Sequence, residues 1–170
     1  MPLVKGHRIV IDDFVTLGDD DAIPASGNVL IPAARFLGHA EAVLARGGKV
    51  GVIWPNSRDI EELAPYLQKL AAVALVFPTF RDGRAYSQAR ILRERYSYKG
   101  EVRATGQVLR DQFVFMLRAG FDAFLIGKES DAEAFSNVAK RYSVFYQPTG
   151  DGRATAFRRR LAFHIAAASP

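Results

Sequence analysis

From residue 49 onward, short apolar stretches alternate with stretches that have the spacing of amphipathic helices. The apolar stretches begin near residues 49, 72, 101, 121 and 142, so one strand with its helix takes roughly 20 to 30 residues. This alternation predicts an α/β fold of repeated βα units with a mainly parallel sheet. Eight such units need about 200 residues or more, so a closed TIM barrel does not fit. Two architectures are compatible with the sequence, an open doubly wound sheet and a partial TIM-like barrel.

Length and composition indicate one domain. The chain has 170 residues, of which 49% are hydrophobic and 24% are charged, and these values are ordinary for a globular protein. We predict a single α/β domain at 1–150, with its core at about 49–149 and a less regular section at 1–48. A basic C-terminal tail follows at 151–170.

The predicted elements follow from hydrophobic periodicity and from stop signals. In the core, the predicted strands are 49–54, 72–77, 101–105, 121–126 and 142–146, and the predicted helices are 59–70, 83–96, 107–119 and 131–140. Before the core, the sequence predicts strands at 8–15 and 28–31 and a helix at 32–45 that starts with Pro32. Gly120 is predicted to end the helix 107–119 in the left-handed conformation.

The absence of cysteine excludes several kinds of site. Disulfides, thiolate zinc sites, cysteine-ligated iron–sulfur clusters and cysteine nucleophiles all require this residue. The three histidines are scattered, so we predict no metal site. The N-terminal segment lacks the long apolar run of a signal peptide, and the longest apolar stretch, 70–77, is too short to cross a bilayer. We therefore expect a cytoplasmic protein with no membrane partner.

The chain is basic, with a net charge of +5 at pH 7 and a pI near 9.7. A basic chain can meet nucleic acid, an acidic protein or an anionic metabolite. No helix-turn-helix, zinc-finger or aromatic RNA-binding pattern accompanies the charge, so we do not expect a nucleic-acid partner. An acidic protein and a small oxyanion remain.

Candidate ligand-binding residues lie in the loops that follow the predicted strands. Ligands of parallel α/β sheets bind at the carboxyl ends of the strands. Arginine can bind two oxygens of a sulfate, phosphate or carboxylate, and glycine lets an anion approach the backbone closely. Helices predicted to begin at Gly83 and Gly106 add N–H donors. The candidate residues are Thr79, Arg81, Asp82, Gly83, Arg84, Arg103 and Gly106.

A purely structural interpretation of these residues stays open. Asp82 can simply cap its helix, Gly83 can be a turn residue, and the arginines can pair with carboxylates such as Glu101. Arg103 can also point to the opposite face of the sheet. Neither a Walker A motif nor a GxGxxG pattern is present, and no nucleophile or acid–base pair is recognisable, so catalytic residues stay unassigned.

The helix predicted at 107–119 carries a polar residue on its apolar stripe. That stripe contains Val108, Gln112, Phe115, Met116 and Ala119. A buried amide needs hydrogen-bond partners, so Gln112 either faces a site or bonds to nearby backbone. We favour the backbone.

Two long motifs, FPTFRDGRAYSQAR and GEVRATGQVLRDQ, begin at Phe77 and Gly100. The region at about 49–149 that contains them closely resembles an uncharacterised bacterial family, domain of unknown function 934. Genes of that family commonly neighbour those of sulfite reductase and phosphoadenylyl-sulfate reductase. The resemblance implies a role in assimilatory sulfite and sulfate reduction and cysteine synthesis, with either reductase as a possible partner, and it supplies no catalytic residue.

Three functional hypotheses follow. The first is an accessory protein of sulfite reduction that binds an oxyanion-bearing ligand or a reductase. The second is an oxidoreductase of the same process that uses a borrowed cofactor, whose identity the sequence leaves unknown. The third is a pure protein-interaction module. Exposed apolar strand edges are also compatible with a homodimer.

Overall fold

The computed structural model describes residues 1–6, 8–133, 137, 144–149 and 154–160. Within these ranges, one sheet contains strands β1 (Leu3–Lys5), β2 (Arg8–Val10), β3 (Val15–Thr16), β4 (Val29–Pro32), β5 (Val50–Trp54), β6 (Ala72–Phe77), β7 (Glu101–Gly106) and β8 (Ala123–Leu125). The α-helices are α1 (Ala33–Gly38), α2 (Ala40–Ala45), α3 (Arg84–Arg90) and α4 (Phe113–Ala119). Single 3₁₀ segments occupy Ile60–Tyr66 and Arg110–Gln112, and a π-helical turn at Ile91–Arg95 continues α3.

The sheet is mainly parallel, as predicted. Its strand order is β2-β1-β8-β7-β6-β5-β4-β3. Strands β3 to β8 run parallel to one another, while β1 is antiparallel to both β2 and β8. A doubly wound sheet reverses its strand order at a switch point. Here β3 to β8 lie side by side in chain order, which is compatible with the partial-barrel alternative.

The two edges of the sheet lie close together, so the sheet is curled. Strand β2 ends at Val10 and β3 begins at Val15, so five residue steps join the two edge strands. An extended chain of five residues spans at most about 18 Å. Eight strands in a flat sheet would spread over about 34 Å. The segment 11–14 therefore crosses the opening between the two edges.

One face of the curled sheet carries the main core. Alternate residues of the strands, among them Val52, Leu75 and Phe124, pack with the buried residues of the helices in one cluster. In β6 the sequence AVALVF leaves only Val76 partly exposed, as expected of a strand covered on both faces. All four helices contribute to this cluster, so they lie on the convex face.

The concave face is covered differently. Phe14, from the crossing segment, packs against Leu30, Ala72 and Ala74 in a separate small cluster. Small side chains in the neighbouring strands leave room for the ring. The crossing segment thus takes the place of a second helical layer.

Several predicted boundaries differ from the structure. The stretch 59–70 is 3₁₀ over Ile60–Tyr66 and contains Pro65, which lacks the N–H that a helical hydrogen bond needs. The predicted strand 8–15 is two strands at opposite edges of the sheet, and the predicted helix 32–45 is split into α1 and α2.

Other boundaries are confirmed. Gly120 has φ +106 and caps α4, and the Phe121 N–H donates to the Met116 carbonyl at 3.1 Å. Of the helix predicted at 131–140 and the strand predicted at 142–146, residues 134–136 and 138–143 lie outside the described ranges. The same holds for 150–153 and 161–170 of the tail. Within the described ranges, no helix combines the length and the apolar character that crossing a membrane requires.

Candidate functional site

The loop after β6 is fastened to the loop after β7 by two glutamines. The Phe80 N–H donates to Gln107 Oε1 at 3.0 Å, and Gln112 Nε2 donates to the Phe80 carbonyl at 3.2 Å. Both backbone groups of Phe80 are therefore bonded, which holds the loop at the carboxyl end of the sheet. The prediction that Gln112 bonds to backbone is confirmed.

Arg81 projects from this fastened loop. Its side chain is exposed, and its guanidinium lies 5.5 Å from the centre of the Phe80 ring, which is itself 45% exposed. Within the described residues, no hydrogen bond or ion pair engages the Arg81 guanidinium. Its positive charge is therefore available to a ligand.

Asp82 and Arg84 neutralise each other next to it. Arg84 Nη2 lies 2.7 Å from Asp82 Oδ2, Arg84 Nε lies 3.0 Å from Asp82 Oδ1, and the Arg84 N–H also donates to Oδ1 at 3.3 Å. Hydrogen bonding from Arg84 is the main reason that the pKa of Asp82 lies well below its usual range. Asp82 thus accepts the N–H of the first residue of α3, although Gly83 and not Asp82 is the N-cap. Its pairing with Arg84 leaves the positive charge of Arg81 uncompensated in this loop.

Asn56, in the loop after β5, presents a buried donor beside Asp82. The residue is 6% exposed, and its amide lies close enough to contribute to the lowered pKa of Asp82. No acceptor among the described residues, Asp82 included, has hydrogen-bonding geometry to Asn56 Nδ2. A buried N–H without an acceptor costs about 1–3 kcal/mol, so the site favours an added oxygen atom here.

Gln88 ties the same loop to α3. Its Nε2 donates to the Pro55 carbonyl at 3.2 Å and to the Arg58 carbonyl at 2.8 Å, while its buried Oε1 has no donor among the described residues. The loops after β5, β6 and β7 are thus linked to one another and to α3. We call their polar groups Asn56, Thr79, Arg81, Asp82 and Arg84 the strand-end cluster.

The two candidate glycines differ. The sequence offers Asp82 as the cap of α3, but Gly83 is the N-cap of this helix, and its φ of −83° is open to any residue. Gly106 has φ +86°, and a Cβ there would lie 2.3 Å from the Phe77 carbonyl oxygen, so the position requires glycine. The Thr79 side chain is exposed, and its carbonyl accepts from the Asp82 N–H at 3.1 Å, which closes the turn before α3.

The prediction that a helix begins at Gly106 is wrong. The Gln107 N–H donates to the Phe77 carbonyl at 2.8 Å, and the Val108 N–H donates to the Gly106 carbonyl at 2.9 Å, so a non-helical turn follows the glycine. Helical structure resumes at Arg110–Gln112 and becomes α-helical only at Phe113. Gly106 therefore ends β7 and contributes no helix N-terminus to the site.

Arg103 lies away from the strand-end cluster, on the concave face. It is 1% exposed and stands in register with Ala74 of β6 and Ala123 of β8. Its guanidinium binds Asp12 at 2.6 and 3.0 Å and Glu101 at 2.7 Å. A ligand would have to displace these carboxylates. Arg103 is therefore a structural arginine on the opposite face of the sheet, as the second interpretation of the sequence allowed.

A cavity that the sequence did not predict lies on the helical side of the sheet. It has a volume of about 980 Å³ and is bounded by α3, by α4 with the residues just before it, by Asn137 and by residues 145–149. Phe115, predicted on the buried stripe of its helix, is 68% exposed and lines this cavity. No local pattern points to the cavity, because it forms only where separate segments of the chain meet.

Among the described residues, no three histidine, aspartate or glutamate side chains converge as metal ligands would. No curated protein matches the chain. A sequence model of one protein family matches residues 51–157, which is more than half of the chain and includes the strand-end cluster. The chain therefore belongs to the family described as bacterial protein of unknown function (DUF934).

Proposed function

We propose that the strand-end cluster binds an oxyanion and that the protein is an accessory of assimilatory sulfite and sulfate reduction in the cytoplasm. The observation that carries the binding proposal is the pair of unused donors at one sheet edge. Asn56 Nδ2 is buried without an acceptor, and the Arg81 guanidinium is unengaged among the described residues. An oxyanion supplies both acceptor oxygens and negative charge.

The charge balance supports an anion at this place. Asp82 would repel an oxyanion if it stood alone, but Arg84 already binds both of its carboxylate oxygens. The neighbouring Arg81 then gives the loop a net positive charge. Sulfite, sulfate and phosphate all suit such a site. The proposed role in sulfite and sulfate reduction is supported only by the resemblance of the two motifs to the family.

Calorimetric titration with sulfite, sulfate and phosphate tests the proposal. Arg81→Ala is expected to weaken binding of the preferred anion at least tenfold, since a charge-assisted hydrogen bond is worth about 1.5–3 kcal/mol. The thermal midpoint should not change, because the side chain is exposed. Arg8→Ala removes an exposed arginine on β2 and serves as the matched control. Unchanged affinity in the Arg81 variant would overturn the site.

A reductase partner is a second candidate, favoured by the exposed basic residues at the end of the described chain. Arg158, Arg159 and Arg160 are all exposed, on a helical segment at 156–160. Opposite charges increase association rates, and salt screens them. Co-purification with sulfite reductase that disappears at high salt, together with no response to any anion, would favour this role over anion binding.

A further inference from the structure

The 980 Å³ cavity has three main walls from separate parts of the chain, and Asn137 also lines it. Tyr86 and Arg90 of α3 form one wall, Val114 and Phe115 of α4 form the second, and Tyr146 belongs to the third. The volume is at the upper end of the range for small-molecule sites. None of these five residues belongs to the strand-end cluster.

Arg118 holds the third wall in place. This α4 residue is 9% exposed, and its guanidinium lies 4.0 Å from the centre of the Phe145 ring. It also donates to the Gln147 carbonyl and to the Thr149 hydroxyl, the latter at 3.0 and 3.1 Å. The wall is therefore attached to α4 by a buried charge and not only by apolar contact.

A second attachment joins the wall to the segment that follows. Phe145 forms a parallel bridge with Thr155, and the Ala156 N–H donates to the Phe145 carbonyl at 2.8 Å. With Arg118 on one side and this bridge on the other, the backbone at Phe145 is fixed from two directions. The cavity is thus bounded by restrained chain on all three sides.

The inner surface offers aromatic rings to a guest. Phe115 is 68% exposed and Tyr146 is 88% exposed, although both rings are large and apolar. Tyr86 packs edge-on against Phe77 at 5.2 Å, and burial, with a smaller effect of Asp111, raises the pKa of its hydroxyl to about 12. That hydroxyl stays protonated at neutral pH and can donate a hydrogen bond.

The lining is also positively charged. It includes Arg90, Arg110 and Arg118, against Asp111 as its one acidic residue in the described part of the chain. Arg90 shares its charge with Glu94 at 3.1 Å, and Arg118 is committed to the third wall. Arg110, exposed and located just before α4, is thus the arginine best placed to meet a ligand.

We propose that this cavity binds an anion that carries a planar aromatic ring, the chemistry shared by nucleotides and flavin phosphates. The ring stacks on Phe115 and Tyr146, and the anionic group binds Arg110. Apolar pockets with a few polar groups that fix orientation are typical of such ligands. The proposal stands independently of oxyanion binding at the strand-end cluster, because the two sites share no residue.

The test is equilibrium titration of the full chain with adenosine monophosphate and with flavin mononucleotide. Adenosine and riboflavin test the ring alone, and inorganic phosphate tests the anion alone. At least one phosphorylated compound should bind at least tenfold more tightly than its unphosphorylated partner. Arg110→Ala and Phe115→Ala should each weaken binding at least tenfold. Arg8→Ala, which removes an exposed arginine on β2, is the control that should bind as the wild type does.

The outcomes separate the alternatives. Selective binding of the flavin phosphate or of the adenosine phosphate identifies the ligand source. No binding of either compound at millimolar concentration would overturn the proposal. Equal binding by the wild type and both cavity variants would overturn it as well. Phe115 and Arg110 are exposed, so circular dichroism of both variants is expected to match that of the wild type.

Discussion

Two arginine–aspartate pairs of this protein use the same chemistry in opposite ways. Arg103 and Asp12 are 91 positions apart and meet on the concave face, where Arg103 is 1% exposed. Arg84 and Asp82 are two positions apart and meet in a loop, where the Arg84 side chain is 59% exposed. Both pairs use two hydrogen bonds between the side chains. The comparison separates a pair that holds the fold from a pair that only neutralises a carboxylate beside the ligand-site residue Arg81.

The buried pair holds the segment that crosses the opening of the sheet. Asp12 lies two residues before Phe14, and the Arg103 guanidinium lies 5.6 Å from the centre of the Phe14 ring. Lys5 binds Glu101 at 2.6 Å, so cations and carboxylates alternate across β1, β7 and the segment. The exposed pair joins residues that already share one turn, so it adds little to the fold.

The largest effect is expected from Arg103→Leu. Removing one partner of a buried pair leaves the carboxylates of Asp12 and Glu101 without their shared cation, and the free energy of unfolding should fall by about 3 kcal/mol. Urea denaturation followed by circular dichroism measures this change. Arg103→Lys retains the positive charge but lacks the planar guanidinium that binds two oxygens, so it should lower the free energy of unfolding by less. A loss below about 1 kcal/mol would show that the crossing segment does not depend on the pair.

A pH-dependent effect of intermediate size is expected from Asp12→Asn. Burial alone would raise the pKa of Asp12, but hydrogen bonds from Arg103 and the Phe14 N–H, with the charges of Arg103 and Lys5, lower it below 3.8. The folded state therefore binds the proton less strongly than the unfolded state. The stabilisation is present above pH 3.8 and is lost as the pH falls from 3.8 through the lowered pKa of the folded state.

Unfolding of the wild type and the Asp12→Asn variant should be compared at several pH values. The difference should be about 1 kcal/mol near pH 7, since Asp12 is partly exposed, and should shrink below pH 4. In an Arg103→Leu background, the effect of Asp12→Asn should be much smaller, because the cation is gone. A difference that stays constant down to pH 2 would contradict the role of the Asp12 charge.

The smallest effect is expected from Arg84→Ala. Exposed ion pairs contribute little to stability, so the urea midpoint should stay within the scatter of repeated measurements. The same denaturation experiment gives the matched comparison with Arg103→Leu. A midpoint shift as large as that of the Arg103 variant would mean that the loop after β6 is a structural element, and the contrast between the two pairs would disappear.

Much of the fold could be predicted because its patterns are local. The strand Ala72–Phe77 coincides with the predicted stretch 72–77, since an apolar run ended by Pro78 leaves few alternatives. The cap at Gly120 follows from the left-handed conformation that glycine tolerates. The 3₁₀ segment differs from the predicted helix because Pro65 lacks the N–H that a helical hydrogen bond needs. The late start of α4 was not predicted because the Gln107 N–H bonds to the Phe77 carbonyl of another strand.

The strand-end cluster could be predicted only in part. The loop residues Thr79 to Arg84 follow from the rule that ligands meet parallel strands at their carboxyl ends. The role of Asn56 could not be predicted, since its unpaired amide depends on the positions of β5, β6 and α3 together. Arg103 was assigned to the same group, because the partner that engages it lies 91 positions away.

By itself, the sequence determined the α/β class, the parallel strands, the absence of cysteine chemistry and the loops where arginine and glycine cluster. These properties depend on residue types and on spacings of a few positions. Tertiary structure alone decided the curl of the sheet, the buried position of Arg103 and the cavity between α3, α4 and residues 145–149. Those features need contacts between distant segments, and burial and charge pairing act only after the chain has brought the segments together.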